Sequence, residues 1–267
     1  MLDAKQTLLT YAPWSYSMAG LAKDCSYAFN KKYVEKVKGD KPEDSATSTG
    51  TIAHRILELG LLGTAVDAAY TQALVEYPQI TFEQRSQLEC FRDAIESFLR
   101  DVDTLDRKIG IVYRDVEAEL CITPDFTAAS YSEGSDRLLR GKVDLHLVLK
   151  NGQALVIDHK SGAARAIKYH QQQLDAYLVF ITAKQPDVLS ARAGIHYVGT
   201  LPDRRGKRTV WGPGYSRHAV QSMVRERVWS WLLSVAANLN EIKPNKCWRC
   251  SRFCEYQLQC PLFNGQS

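Results

Sequence analysis

A chain of 267 residues, 45% hydrophobic and 24% charged, is long enough to bury a sizeable core and has the composition of an ordinary soluble globular protein. No apolar run approaches a membrane span, and the start MLDAKQTLLTYAPWSYS, interrupted by Asp3 and Lys5, lacks a signal peptide's apolar centre. A net charge of +4 permits a polyanionic partner without demanding one, and a cytoplasmic chain with reduced thiols is expected, so its seven cysteines are not read as a disulfide framework.

Residues 15–38 (SYSMAGLAKDCSYAFNKKYVEKVK) read as a helix after a serine-rich start, with Cys25 as a buried structural thiol on the simplest view. A polar loop follows over 39–48. In 49–62, TGTIAHRILELGLL, Ile52, Ile56, Leu59 and Leu62 recur at helical spacing, with Thr49 or Thr51 as the cap. His54 and Glu58 are four apart and share a face of that helix. Residues 81–99 form a second amphipathic helix, with Leu88, Phe91, Ile95 and Phe98 or Leu99 as its stripe and Cys90 placed in the core. Residues 113–122 alternate as a strand, Val116, Ala118, Leu120 and Ile122 against Glu117, Glu119 and Cys121, and 124–135 read as a long turn.

The stretch 141–162, GKVDLHLVLKNGQALVIDHKSG, reads as two strands joined at Asn151 and Gly152. On the first, Val143, Leu145, Leu147 and Leu149 alternate with Asp144, His146 and Lys150. On the second, Ala154, Val156, Asp158 and Lys160 share one face, and Leu155 and Ile157 the other. A two-residue turn would set Asp144 opposite His159, on the other face from Asp158. A three-residue loop with Gly152 in the left-handed conformation sets Asp144 across from Asp158. Two carboxylates and a lysine on one face suit a hard divalent cation with a cationic donor beside it. The bland alternative is an exposed strand end carrying a surface ion pair.

Residues 167–181 are helical, with Gln173 and Tyr177 four apart on one face. A short strand over 191–198 is expected at the far side of the sheet. The loop 202–208, PDRRGKR, collects four basic residues, and a long helix runs over 216–239. Residues 245–261, NKCWRCSRFCEYQLQCP, hold four of the seven cysteines, a density that argues for metal, and a closed tetrahedral zinc site is the default from the residues alone.

The pattern Asp144…Asp158-x-Lys160 resembles the core of the PD-(D/E)XK nuclease superfamily. Gly50 and His54 sit on the G-x-x-x-H motif of its RecB-like members, and Gln173 and Tyr177 on their Q-x-x-x-Y motif. Cys25 with Phe29, in a serine-led helix, resembles their N-terminal signature, although Ser26 stands where a proline usually follows. Cys254-x5-Cys260-Pro261, with Tyr256 in the aromatic position, resembles the tail of iron–sulfur members, the phage-type and CRISPR-associated exonucleases. The resemblance thus runs from Cys25 to Cys260, five motifs in the expected order.

The resemblance implies an α/β restriction-endonuclease-like mixed sheet flanked by helices, in one nuclease domain over 1–267. Residues 1–110 would form a mainly helical N-terminal part, 111–200 the core, and 201–267 a helix and the Cys-rich tail. It implies a metal-dependent DNA exonuclease acting on DNA with a free end, in phage or prokaryotic recombination or processing, with recombination or CRISPR-adaptation proteins as partners. His54, Asp144, Asp158 and the main-chain carbonyl of His159 would hold Mg²⁺ or Mn²⁺. Lys160 would position and help deprotonate the attacking water, and Gln173 and Tyr177 would contact the strand. A glutamate near the site is expected on the preceding strand, Glu117 before Glu119. A [4Fe–4S] cluster would be held by Cys25, Cys247, Cys254 and Cys260, with Cys250 the alternative to Cys247. Two other classes remain: a nuclease-fold binding or CRISPR-adaptation module with little activity, and a zinc-stabilised DNA-binding protein.

Overall fold

The computed structural model describes residues 3–40, 49–199, 208–250 and 254–263. Helices α1 (Ala4–Thr10), α2 (Tyr16–Asp24) and α3 (Ser26–Phe29) lead into a π-helical turn, Asn30–Val34. After α4 (Thr49–Leu61), α5 (Val66–Glu76) and α6 (Phe82–Ile109) come strands β1 (Ile111–Ile122), β2 (Leu139–Leu149) and β3 (Gln153–Lys160). Helix α7 (Gln171–Lys184) crosses to β4 (Ser190–Tyr197), followed by β5 (Thr209–Ser216) and a helical run of α8 (Arg217–Ala219), a π-turn and α9 (Arg225–Ala237). The sheet keeps the order β1-β2-β3-β4-β5 and is antiparallel except for the parallel pair β3–β4. A parallel pair needs a long crossover, and α7 supplies it.

Each face of the sheet is covered. Leu145, Leu147, Leu149, Leu155 and Ile157 pack against the apolar stripes of α4, α5 and α6. On the other side Val143, Ala154 and Val156 meet Leu174, Tyr177 and Leu178 of α7, residues of α9, and Trp14 and Phe29. The β3 alternation expected from sequence therefore holds. On β2 it breaks: Val143 belongs to the opposite core from Leu145, and the pairing with β3 reaches only as far as Leu145 opposite Ile157. The switch between faces occurs at Asp144, which frees its carboxylate from the alternation.

The loop between β2 and β3 spans Lys150, Asn151 and Gly152, with Gly152 at φ +81° donating to the Leu149 carbonyl at 2.9 Å. The register runs from Val148 opposite Ala154 to Leu145 opposite Ile157, the one that a three-residue loop sets and that, carried one residue further, would bring Asp144 opposite Asp158. A Cβ on Gly152 would come within 2.8 Å of the Leu189 side chain, but Leu189 is exposed and can yield. The cost of Gly152→Ala is therefore the left-handed backbone, about 1 kcal/mol, read as a small drop in unfolding free energy with activity retained.

Four expectations change. The helix over 15–38 is interrupted at Cys25, whose extended φ −159°, ψ 106° caps α3, and it ends before Lys36, at φ 54°. The segment leading into the tail docks on this break, which no local pattern encodes: Ser26 Oγ donates to the carbonyls of Glu241 and Lys243, and Asn245 Nδ2 donates to the Asp24 carbonyl. The second amphipathic helix runs ten residues past Leu99, to the Gly110 cap at φ 90°, and Cys90 is exposed rather than core, one position off the Leu88–Phe91–Ile95 stripe. The 191–198 strand is interior, because β5 pairs on its outer side; β5 carries Gly212, Pro213 and Gly214, residues tolerated at a sheet edge that disguise a strand in sequence. Of the 202–208 basic loop only Arg208 lies within the described residues, paired with Asp93 at 2.9 Å.

His146 on β2 is fully buried beside Tyr113, Asp115 and Lys184, and neither ring nitrogen has a hydrogen-bond partner among the described residues. Burial, then the nearby Lys184 charge, pulls its pKa down to about 4. The unfolded chain thus takes up this proton first as pH falls. The stability held by the neutral ring is complete above the ordinary value near 6.5 and is lost between there and about 4, up to about 3 kcal/mol. His146→Leu is expected to flatten that window at no cost at neutral pH, in chemical denaturation run across pH. The remaining acid dependence would come from His159 and His196, whose pKa values burial also lowers.

Candidate metal centre and cysteine cavity

Three elements bring acidic and imidazole groups together. Helix α4 presents His54, with Nδ1 3.6 Å from Asp144 Oδ1, and β1 turns Glu117 inward through a positive φ of 55°, uncommon for a non-glycine residue and the kind of strain functional sites retain. One ligand atom each from His54, Glu117 and Asp144 fall within 4.8 Å of one another. Glu119, the runner-up, is exposed and pairs in register with Lys142. A nitrogen and two carboxylates in this space fit a hard divalent cation.

Asp144 Oδ2 accepts from the His159 amide at 2.5 Å, so the side chain takes a donor that the sheet ladder does not use. On β3, Asp158 is 3% exposed and its two oxygens are held differently. Its Oδ1 accepts from Gln173 Nε2 at 2.9 Å and Tyr177 Oη at 3.0 Å, and its Oδ2 lies 2.6 Å from Lys160 Nζ. Tyr177 also receives a bond from Gln173 at 2.7 Å. Gln173 and Tyr177 are themselves buried, so they stand behind Asp158 instead of on the outer surface where strand contacts were expected. The His159 ring turns away into a pack with His196, at 2.9 Å between Nδ1 atoms, and Phe98.

The electrostatics separate the two aspartates. Burial pushes both carboxyls up; at Asp144 the His54 side chain and the His159 charge and amide outweigh it and hold the pKa down. At Asp158 burial wins over Lys160, and the Asp144 charge adds to the rise. Burial and Asp144 raise Glu117 in the same way, and His54 is raised because Asp144 overcomes its burial. Three carboxylates that repel one another in a half-buried cleft are what a bound dication would relieve.

A second feature lies at the break in the N-terminal helix. Cys25, Cys247, Cys250, Cys254 and Cys260 all line one cavity, with Tyr256 buried beside them. Cys247 and Cys250 approach to 3.9 Å between Sγ atoms, and the Asn245 amide reaches Cys25 Sγ at 3.5 Å. Among the described residues no three of these sulfurs come within 4.8 Å of one another. Tyr27 Oη to the Gln259 carbonyl at 2.7 Å, Lys32 to Glu255 at 2.8 Å and Arg249 to Asp24 at 2.7 Å tie the tail to residues 24–40.

Among the sequence-derived site residues, His54 and Lys160 line one cleft with Glu117, Asp144 approaches His54 at 3.6 Å, Asp158 is buried behind Lys160 with Gln173 and Tyr177, and the four proposed cluster cysteines, with Cys250, gather elsewhere. A search of curated proteins gives no significant match. Among solved structures, the chain is similar to a crystal structure described as a "Putative exonuclease" from Eubacterium rectale, at TM-score 0.51 and 13% identity over 90% of this chain and 86% of that one. It also aligns with a crystal structure of SSO0001 at TM-score 0.32 and 14% identity, covering 83% of this chain and 88% of that one. The family model of the PD-(D/E)XK nuclease superfamily matches residues 13–261, nearly the whole chain and every site residue above, and the chain belongs to that superfamily.

Proposed function

We propose that the protein is a Mg²⁺- or Mn²⁺-dependent DNA exonuclease. The observation that carries the reading is the convergence of His54, Glu117 and Asp144 beside the Asp158–Lys160 pair in one cleft. His54, Glu117, Asp144 and Asp158 would hold the ion, Asp158 through the Oδ2 that Gln173 and Tyr177 leave free, with the His159 main-chain carbonyl as a further donor. Bound there, a dication lowers the pKa of a coordinated water and stabilises charge on the phosphate. Lys160, 35% exposed at its side chain and anchored on Asp158, is placed to hold the attacking water and to meet the developing negative charge. Gln173 and Tyr177 are positioning residues: their hydrogen bonds fix the Asp158 rotamer against the repulsion of Asp144. The similar E. rectale fold carries the word exonuclease in its description, which agrees with an end-directed activity here. The test is linear against covalently closed circular DNA of one sequence: an exonuclease degrades only the linear form, and equal attack on circles would make it an endonuclease.

The cysteine cavity supports a [4Fe–4S] cluster in this reading, held by Cys25, Cys254, Cys260 and Cys247 or Cys250. The thiols line one cavity, with Cys247 and Cys250 at 3.9 Å between Sγ atoms, a spacing that zinc also accepts, so the cluster rests on the resemblance of the tail to iron–sulfur members. The group stands apart from the carboxylates, so its part is structural. A role in phage or prokaryotic recombination, with recombination or adaptation proteins as partners, follows from the same resemblance.

A further inference from the structure

Between the carboxylate cleft and the cysteine cavity runs a surface that neither site uses. Tyr16 marks its start, close enough to feel the charges of Lys160 and Asp158 on one side and of Asp24 and Arg249 on the other. On the cavity side, Trp248 is 62% exposed, donates from Nε1 to Asp24 at 3.2 Å, and has the Arg249 guanidinium 4.6 Å from its ring centroid. On the cleft side, Lys23, the neighbour of Asp24, shares a groove with Lys168 and Tyr169, just ahead of α7. Tyr169 is 63% exposed, with the Lys168 ammonium 5.3 Å from its ring.

A single exposed aromatic ring is ordinary surface. Two large exposed rings, each with a cation alongside, with Lys23 in the groove beside one of them and the Lys160 charge felt at Tyr16 and His170, match what an unpaired nucleic-acid strand requires. Cations track the phosphates, and ring faces receive bases of any sequence. A duplex offers no such faces, because its bases are stacked on one another. We propose that Tyr169 and Trp248 are stacking platforms guiding an unpaired DNA strand along this surface into the carboxylate cleft, so that single-stranded DNA is the substrate class. The proposal rests on the nuclease reading and adds to it the form of DNA and the route by which it enters.

The test is fluorescence anisotropy with labelled single-stranded and duplex oligonucleotides, with Ca²⁺ in place of Mn²⁺ to suppress cleavage. Tyr169→Ala and Trp248→Ala are each expected to weaken binding of the unpaired strand about tenfold, leave duplex binding unchanged, and recover in Tyr169→Phe and Trp248→Phe. Lys168→Ala should lower the slope of log affinity against log salt by about 0.7. Tyr169 is remote from the cysteines, so its variant reads the surface even if Trp248→Ala disturbs the adjacent Cys247; circular dichroism confirms each fold. Unchanged affinity in both alanine variants, or equal losses for duplex, overturns the proposal. Wild-type protein that binds and cleaves duplex in preference also overturns it while leaving the nuclease reading standing. Strand binding that depends on both rings, without metal-dependent cleavage, overturns the nuclease reading and leaves the platform.

Discussion

Asp144→Ala and Asp158→Ala are each expected to lower metal-dependent DNA cleavage on the order of a thousandfold, about 4 kcal/mol of transition-state stabilisation, without unfolding the protein. Asp144 faces the His54–Glu117 pair and is the only one of the two aspartates with an oxygen within 3.6 Å of the histidine. Removing it takes away a ligand and also the acceptor for the His159 amide, so a modest stability loss accompanies the loss of activity. Asp158→Ala should behave differently. Its carboxylate is buried, its pKa is raised, and it sits against a like charge, so its removal relieves a repulsion as it breaks bonds to Lys160, Gln173 and Tyr177. Unfolding free energy should therefore change little in Asp158→Ala while kcat collapses. Steady-state cleavage and denaturant titration of the two variants check this, and near-wild-type turnover in both would remove the carboxylates from the chemistry.

The second large effect concerns the cysteine cavity. Cys25 and Cys260 lie more than two hundred residues apart in sequence, and a group joining them closes a long loop. In the chain-entropy picture such a closure is worth on the order of 5 kcal/mol, comparable to the whole stability of many domains. Cys25→Ala or Cys260→Ala should thus lose bound iron and sulfide and give unstable, aggregating protein. Cys90→Ala, at an exposed position, should be silent, and Cys121→Ala, at a buried one, should show only a small packing loss. Iron, sulfide and zinc analysis of oxygen-free preparations, beside thermal unfolding, reads the result. Stoichiometric zinc without iron would defeat the cluster, and a stable Cys25→Ala protein with full metal content would remove Cys25 from it.

Much of the site was legible because its determinants are local. The Asn151–Gly152 turn and the alternation of β3 specify the hairpin, and a left-handed Gly152 selects the observed register, Val148 opposite Ala154 to Leu145 opposite Ile157. His54 was legible from helical spacing and the G-x-x-x-H motif together. Glu117 could be narrowed only to a choice of two, because its inward turn depends on a positive φ that no local pattern announces. The positions of Gln173 and Tyr177 were expected from the motif, but their burial behind Asp158 follows from the way α7 packs on the sheet, a tertiary fact. The same holds for the helix break at Cys25, which is stabilised by a tail over two hundred residues away, and for β5, whose Gly-Pro-Gly centre is acceptable only at an edge.

The measurement that bears most directly on the central claim is cleavage of end-labelled DNA by wild-type and Lys160→Ala protein, each with Mn²⁺ and with excess chelator. Among the described residues no acidic group lies closer to Lys160 than Asp158, and that partner can take up a proton when the lysine is lost, so the variant should fold. The account predicts turnover by wild type that chelator abolishes and metal restores, and a loss of at least a hundredfold in Lys160→Ala with DNA binding retained. Cleavage that persists in chelator, or that Lys160→Ala leaves intact, would contradict it.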